Sequence, residues 1–134
     1  MPHDKRLDRL DEHQAAILGI LRRGERLLGA PDPDAPALAR ARWELVRAAM
    51  AYQRFKHQEV FDPAAARPDR AAAARRLKAE CLAAGEALRA YVARWSSVSV
   101  VDRWAEYHPA AVALIADLRA QLARERAEAE RLLG

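Results

Sequence analysis

The sequence predicts an all-α protein, an up-down-up-down antiparallel four-helix bundle, and three observations carry that reading. Breakers fall in three clusters: Gly29 to Pro36, Phe61 to Asp69, and Trp95 to Asp102. Between them lie four Ala-, Leu- and Arg-rich segments, each with the 3-4 apolar spacing of an amphipathic helix. The connections are short, about seven residues, and short connections join antiparallel neighbours. Strand-like alternation is confined to a few residues around Val98 to Val101.

The first helix starts at about Asp4, a good N-cap, and ends at Leu28 with Gly29 as its stop. The second runs from about Pro36, a favoured first-turn residue, to Phe61, ending before Pro63. The third starts at Asp69 and reaches about Trp95. The fourth runs from about Pro109 to Leu133, after a short turn or helical piece from Ser99 to Tyr107. The Ala runs at Ala64 to Ala66 and Ala71 to Ala74 read as helix propensity in an Ala- and Arg-biased chain.

With 134 residues the chain has room for one domain, 1–134. Hydrophobic residues make up 51% and charged residues 31%, a globular balance that excludes a disordered tail or a fibre. No stretch is apolar for long enough to cross a bilayer, and the first dozen residues are too charged for a secretory signal. A single Cys excludes an internal disulfide framework, so the expected compartment is the cytoplasm.

The 3-4 stripes carry the chemistry. The expected inward positions are Leu10, His13, Ile17, Ile20, Gly24 and Leu27 in the first helix, and Val46, Met50, Gln53, His57 and Val60 in the second. The third gives Leu77, Cys81, Ala84, Leu88, Tyr91 and Trp95; the fourth gives Leu114, Leu118, Gln121, Glu125, Glu128 and Leu132. His13, Gln53, Cys81 and Glu125 lie 15, 17, 14 and 16 residues from one common end. At about 1.5 Å per residue they fall within roughly 5 Å along the axis, a polar belt halfway down the bundle. Helical bundles build metal sites from such inward-projecting groups.

Four segments sharpen the comparison: LDEHQAAILGIL around His13, Gln53-Arg-Phe-Lys-His57-Gln-Glu-Val-Phe-Asp-Pro63, Glu80-Cys81, and Gln121-Leu-Ala-Arg-Glu125-Arg. In order and spacing the chain resembles the hemerythrin-like (HHE cation-binding) domains. In that family the first helix offers Asp/Glu-His, and the second and fourth each carry His-x-x-x-Glu, the second followed by a Leu-Phe-Pro-like segment. The resemblance implies a di-iron centre held by His and bridging carboxylates. Here Gln53 and Gln121 stand at the His positions, His57 at the second-helix Glu position, and Cys81 where the third helix would offer His. The candidate metal ligands are therefore His13, His57, Glu125 and Cys81. A Gln amide is a poor ligand for divalent iron, and a thiolate favours zinc.

Read without the family, the same residues form a hydrogen-bonded core layer. His13 lines the core and donates to Gln53 or Glu125. His57 either reaches solvent at the wet end of its helix or is buried. Glu125 pairs with His13, His57 or an Arg such as Arg22, which would raise the imidazole pKa values. Gln53 and Gln121 complete the network, and Cys81 is a small buried hydrophobe. The expected state has no bound cofactor, with iron or zinc as the metals that the remaining ligands could hold.

Other chemistries find less. His3 and His108 have no positioned partner at a readable spacing, and Ser99-x-x-Asp102 resembles a capping box. The sequence contains no Gly-rich phosphate loop, Cys-x-x-Cys pair or nucleophile elbow, so an enzyme is not expected. The net charge of +4 invites nucleic acid, and Arg67, Arg70, Arg75, Arg76 and Lys78 form the densest basic run. Elsewhere Arg alternates with Glu and aromatics are only 6%, which reads as a solvated, internally paired face and argues against nucleic acid. Trp104 and Tyr107 are expected to lid one end over Trp95, while Trp43 and Leu38 offer a flank for a protein partner or a homodimer. The expected role is a non-catalytic sensory, regulatory or interaction module with an eroded central metal site. The alternative is a metal-binding protein that responds to oxygen or redox state through His13, His57, Glu125 and Cys81.

Overall fold

Asp4 opens the first helix: its Oδ1 accepts from the Arg6 backbone N–H at 2.9 Å, satisfying one of the orphan donors at the helix start. In the computed structural model, which describes residues 4–134, α1 runs Lys5–Leu28 and stops at Gly29. His3 lies outside the described residues. The second helix, α2 (Ala35–Phe55), follows Asp34, whose Oδ1 accepts from the Ala37 N–H at 3.1 Å. Every regular element among the described residues is helical, with four long helices and no strand. The Val-rich stretch that reads as strand-like instead forms a turn that buries Val100.

The second helix does not end before Pro63. It continues as a π-helical segment (Lys56–Phe61) and one α turn, α3 (Asp62–Ala65), with Pro63 in that turn's first residues. Proline has no N–H, and its ring crowds the carbonyl four residues back, here Glu59. The π winding widens the helix, so that the Asp62 N–H donates five residues back to the His57 carbonyl. The Glu59 carbonyl, which Pro63 cannot serve, accepts from Arg6 Nη1 of α1 at 3.3 Å.

Two further boundaries differ from expectation. The third long helix, α4 (Ala71–Ser97), starts after Arg70 with no side-chain cap, because the Asp69 carboxylate pairs with Arg67 and Arg70 instead. The last, α5 (Trp104–Leu133), begins ahead of Pro109 and carries that proline inside it. The earlier start buries Tyr107, with its ring 5.0 Å from that of Trp95 and 5.8 Å from that of Trp104. Burying one aromatic side chain stabilises by about 1.5–3 kcal/mol, comparable to the roughly 3 kcal/mol that a proline inside a helix costs. Ser99 Oγ accepts from the Asp102 N–H at 3.3 Å in the turn before it.

The aromatic end is closed by two polar residues. Arg42 is buried and donates through Nη1 to Tyr107 Oη and through Nη2 to the Trp95 carbonyl, both at 3.2 Å. His108, expected on the surface without a partner, sits 3.0 Å from the Leu28 carbonyl through Nε2. A carbonyl only accepts, so that nitrogen carries the proton and caps the end of α1. Leu38 is buried while Trp43 stays 50% exposed, so the flank expected from both reduces to Trp43.

α1 packs against α2 and α5, α2 packs against α4, and α4 and α5 touch only sparsely. The expected stripes of α1, α2 and α5 hold only in part: Leu10, Ile17, Val46, Val60 and Leu132 are buried as expected, and other positions shift by one residue. Gln14 and Leu21 are buried in α1 where His13 and Ile20 were expected, and Met50 of α2 is 47% exposed. The α2 stripe runs Leu38, Leu45, Tyr52, and on to Lys56 and Val60. In α5 it is Ala111, Ile115, Leu122, Ala129 and Leu132. Only α4 keeps its expected register, with Leu77, Cys81, Leu88 and Trp95 buried.

Candidate functional site

A polar layer does cross the middle of the molecule, with a different membership from the expected one. From α1 comes Gln14, which is buried and donates through Nε2 to Tyr52 Oη and to the Leu122 carbonyl, both at 2.8 Å. From the start of the π-helical segment comes Lys56, whose side chain is only 5% exposed. Its ammonium is ion-paired with Glu125 Oε2 of α5 and lies 4.0 Å from the centre of the Tyr52 ring. Burial pushes the Tyr52 phenol well above its ordinary pKa, and the Glu125 charge pushes it further, so the phenol keeps its proton. Burial also raises the Cys81 thiol of α4, against the opposing pull of the Lys56 ammonium beside it.

Of the six residues picked from the sequence, four are brought together. Cys81, Gln121 and Glu125 line one cavity with Lys56, and Gln53 joins those four around a second, smaller void. The two imidazoles lie elsewhere. His13 is half-buried against aromatic rings, 5.9 Å from the Tyr52 ring and 5.1 Å from that of Phe55. His57 tilts against Phe61 at 5.5 Å, and its Nε2 is buried without a hydrogen-bond partner. The expected pairing of Glu125 with His13, His57 or Arg22 is therefore replaced by Lys56. The expected rise in imidazole pKa is reversed. Burial lowers both His13 and His57, and the Lys78 and Lys56 charges lower His57 further. Among the described residues no three His, Cys, Asp or Glu side chains cluster as a metal would need.

The main cavity, about 450 Å³, lies between the π-helical segment, α4 and α5. Leu10, Val60, Phe61 and Leu77 supply apolar wall, and the rest is largely polar: Lys56, Cys81, Gln121 and Glu125, with Arg76, Glu80, Arg124 and Glu128. Glu125 Oε1 is buried and has no hydrogen-bond partner among the described residues.

Lys56, Gln14 and Tyr52 are the residues that stripe reading missed. One signal for Lys56 was present: only 3 of the 23 basic residues are Lys, and this one falls on the Leu45–Tyr52–Val60 spacing. No protein-family model matches the chain, and no curated protein and no solved structure is detectably similar to it.

Proposed function

We propose that this chain is an up-down antiparallel four-helix bundle of the hemerythrin-like type whose metal has been replaced by a lysine ammonium. In this reading it serves as a non-catalytic sensory, regulatory or interaction module. Cross-helix partners support the antiparallel order. Arg23 pairs with Glu44 and Arg6 reaches Glu59, so α2 and its extension run back along α1. Glu25 pairs with Arg119 and Asp11 with Arg126, so α5 also runs against α1. Arg42 meets Trp95 at one end, and Lys78 meets Asp62 toward the other, which sets α4 against α2 and its extension.

One observation carries the functional reading: a buried ammonium occupies the layer in which a cation would sit. Lys56 supplies the positive charge that Glu125 requires, and it would repel a metal ion placed beside it. The donor set does not suit iron or zinc. Glu125 Oε2 is engaged by Lys56, Cys81 is held toward its protonated form, and His13 is stacked among rings. The protonated thiol and phenol also favour a binding role over nucleophilic chemistry. Elemental analysis of protein purified without chelator tests this. The expected result is metal-free, fully folded protein. Stoichiometric iron or zinc that disappears in His13→Ala would overturn it in favour of the metal-binding, redox-responsive reading.

A further inference from the structure

The outer face of α2 is basic without being paired. From Leu45 to Gln58 the chain has no Asp or Glu, and Arg47 and Arg54 are exposed there. The carboxylates that flank this stretch are already taken: Glu44 pairs with Arg23 and Glu59 with Arg9. Arg47 and Arg54, and Arg89 of α4, have no ion-pair or hydrogen-bond partner among the described residues. Of the nearby α4 carboxylates, Glu80 lines the main cavity and Glu86 stands one turn after Leu82, which leaves three guanidinium groups against one carboxylate. The same face holds apolar surface in water. Trp43 is 50% exposed, Met50 47% and Leu82 44%, and Trp43 and Met50 share the helical stripe that Arg47 and Arg54 complete. Met50 and Leu82 line an open groove of about 320 Å³ between α2 and α4, with Gln53, Arg54, His57 and Arg89. Gly85 shapes its edge: an added Cβ would stand 2.8 Å from Gln53 Oε1, so the missing side chain lets that amide lie against α4.

We propose that this face docks an acidic amphipathic helix of another protein, its apolar residues on Met50, Leu82 and Trp43 and its carboxylates on Arg47, Arg54 and Arg89. The proposal rests on the reading of the chain as an interaction module and supplies the chemistry of the partner. Arg54 follows Trp43 by 11 residues, so the stripe is about 17 Å long and matches about three turns of a partner helix. Unbranched Met at its centre adapts to the shape of an incoming side chain. A second copy is a poor occupant. A two-fold contact would set these guanidinium groups against their own counterparts, and acidic groups such as Asp11 and Glu25 are already paired within the chain. A nucleic acid would engage the guanidinium groups and leave Met50 and Leu82 unused. A bilayer surface would take protruding apolar groups, whereas these line a groove.

The test is titration of the full chain with a synthetic helical peptide of about 14 residues, with leucines at 3-4 spacing and glutamates on its other faces, followed by fluorescence anisotropy. One-to-one binding is expected, with a shift of tryptophan emission to shorter wavelength that Trp43→Phe abolishes. Peptides with lysine in place of glutamate, or alanine in place of leucine, are expected to bind at least tenfold more weakly. The double variants Arg54→Glu with Arg89→Glu, and Met50→Ser with Leu82→Ser, change exposed positions and should fold as the parent does. Each is expected to lower affinity for the glutamate peptide at least tenfold. No binding of that peptide overturns the proposal, as does equal binding of all three peptides or undiminished binding by both double variants. Tighter binding to phosphatidylglycerol vesicles or to duplex DNA overturns it too, as does a dimer of the parent chain that either double variant dissolves. Metal content measured on the same sample separates the two claims. Bound iron or zinc overturns the lysine-replacement reading, whereas metal-free protein that ignores the peptide overturns only the docking surface.

Discussion

Replacing Lys56 with Met removes the ammonium while keeping most of the side-chain volume, so the change isolates charge from packing. The Lys56 side chain is 5% exposed and its partner Glu125 is 14% exposed, which places the pair in the interior rather than on the surface. Deleting one partner of a buried pair costs about 3–5 kcal/mol, because the remaining charge stays desolvated and unpaired. The contact of the ammonium with the Tyr52 ring, 4.0 Å from its centre, disappears as well. Against a total stability of about 5–15 kcal/mol, such a loss is a large fraction. With a urea slope of about 1–3 kcal/mol per molar, a 3 kcal/mol loss moves the unfolding midpoint down by about 1–3 M. The assay is urea unfolding followed by far-ultraviolet circular dichroism on Lys56→Met, Glu125→Met and the double variant. Both single variants should fall, and the double variant should recover to within about 1 kcal/mol of the parent or exceed it. If Lys56→Met costs less than about 1 kcal/mol, or the double variant is no better than the singles, the pair is not the organising element of this layer.

Other outcomes follow from the same structure. Gly24 sits within α1, where an added Cβ would meet Ile115 Cδ1 at 3.7 Å, an ordinary contact. Gly24→Ala should therefore stabilise by about 0.5–1 kcal/mol in thermal melts, and a loss would mean that α1 and α5 are closer than described. His13 and His57 both have folded pKa values below 6.5, so the unfolded chain binds protons first as the pH falls. Stability should be full above 6.5 and decline below it, until the lowered folded values are reached. NMR titration midpoints above 6.5 for either ring would contradict this and restore a carboxylate partner. Cys81, buried and with a raised pKa, should react with a disulfide reagent about a hundredfold more slowly in the native protein than in urea. Equal rates would place the thiol at the surface.

The four long helices were legible because their signals are local. Asp4, Asp34 and Gly29 act through neighbours a few residues away, so the sequence contains the whole of each boundary argument. The boundaries that moved involve distant partners. Pro63 remains inside a helix because the winding opens before it and Arg6, 53 residues from Glu59, reaches the carbonyl that proline leaves unserved. Pro109 lies within α5 because Tyr107 is drawn between Trp95 and Trp104. In both cases tertiary packing outweighs a local rule. The phase of a stripe is similarly a tertiary property. After Leu10, both position 13 and position 14 satisfy helical spacing, and only the surfaces of α2 and α5 select Gln14.

The same ambiguity explains why the layer was foreseen while its charge was not. A one-residue step of phase, about 100°, exchanges His13 for Gln14 and moves the inward position of the second helix from Gln53 and His57 to Tyr52 and Lys56. Imidazoles and amides near the expected height suggest a cation held from outside, whereas the residues that meet there bring their own. Glu125 and Cys81 are common to both sets, and both line the cavity. What changes is the electrostatic sign of the centre. A carboxylate facing neutral imidazoles would recruit a positive ion, whereas this carboxylate already faces an ammonium. The feature that separates this layer from the expected metal-ligand set is therefore a single lysine at the first residue of a π-helical segment. Its inward direction follows from Tyr52, one turn before it on the same buried stripe.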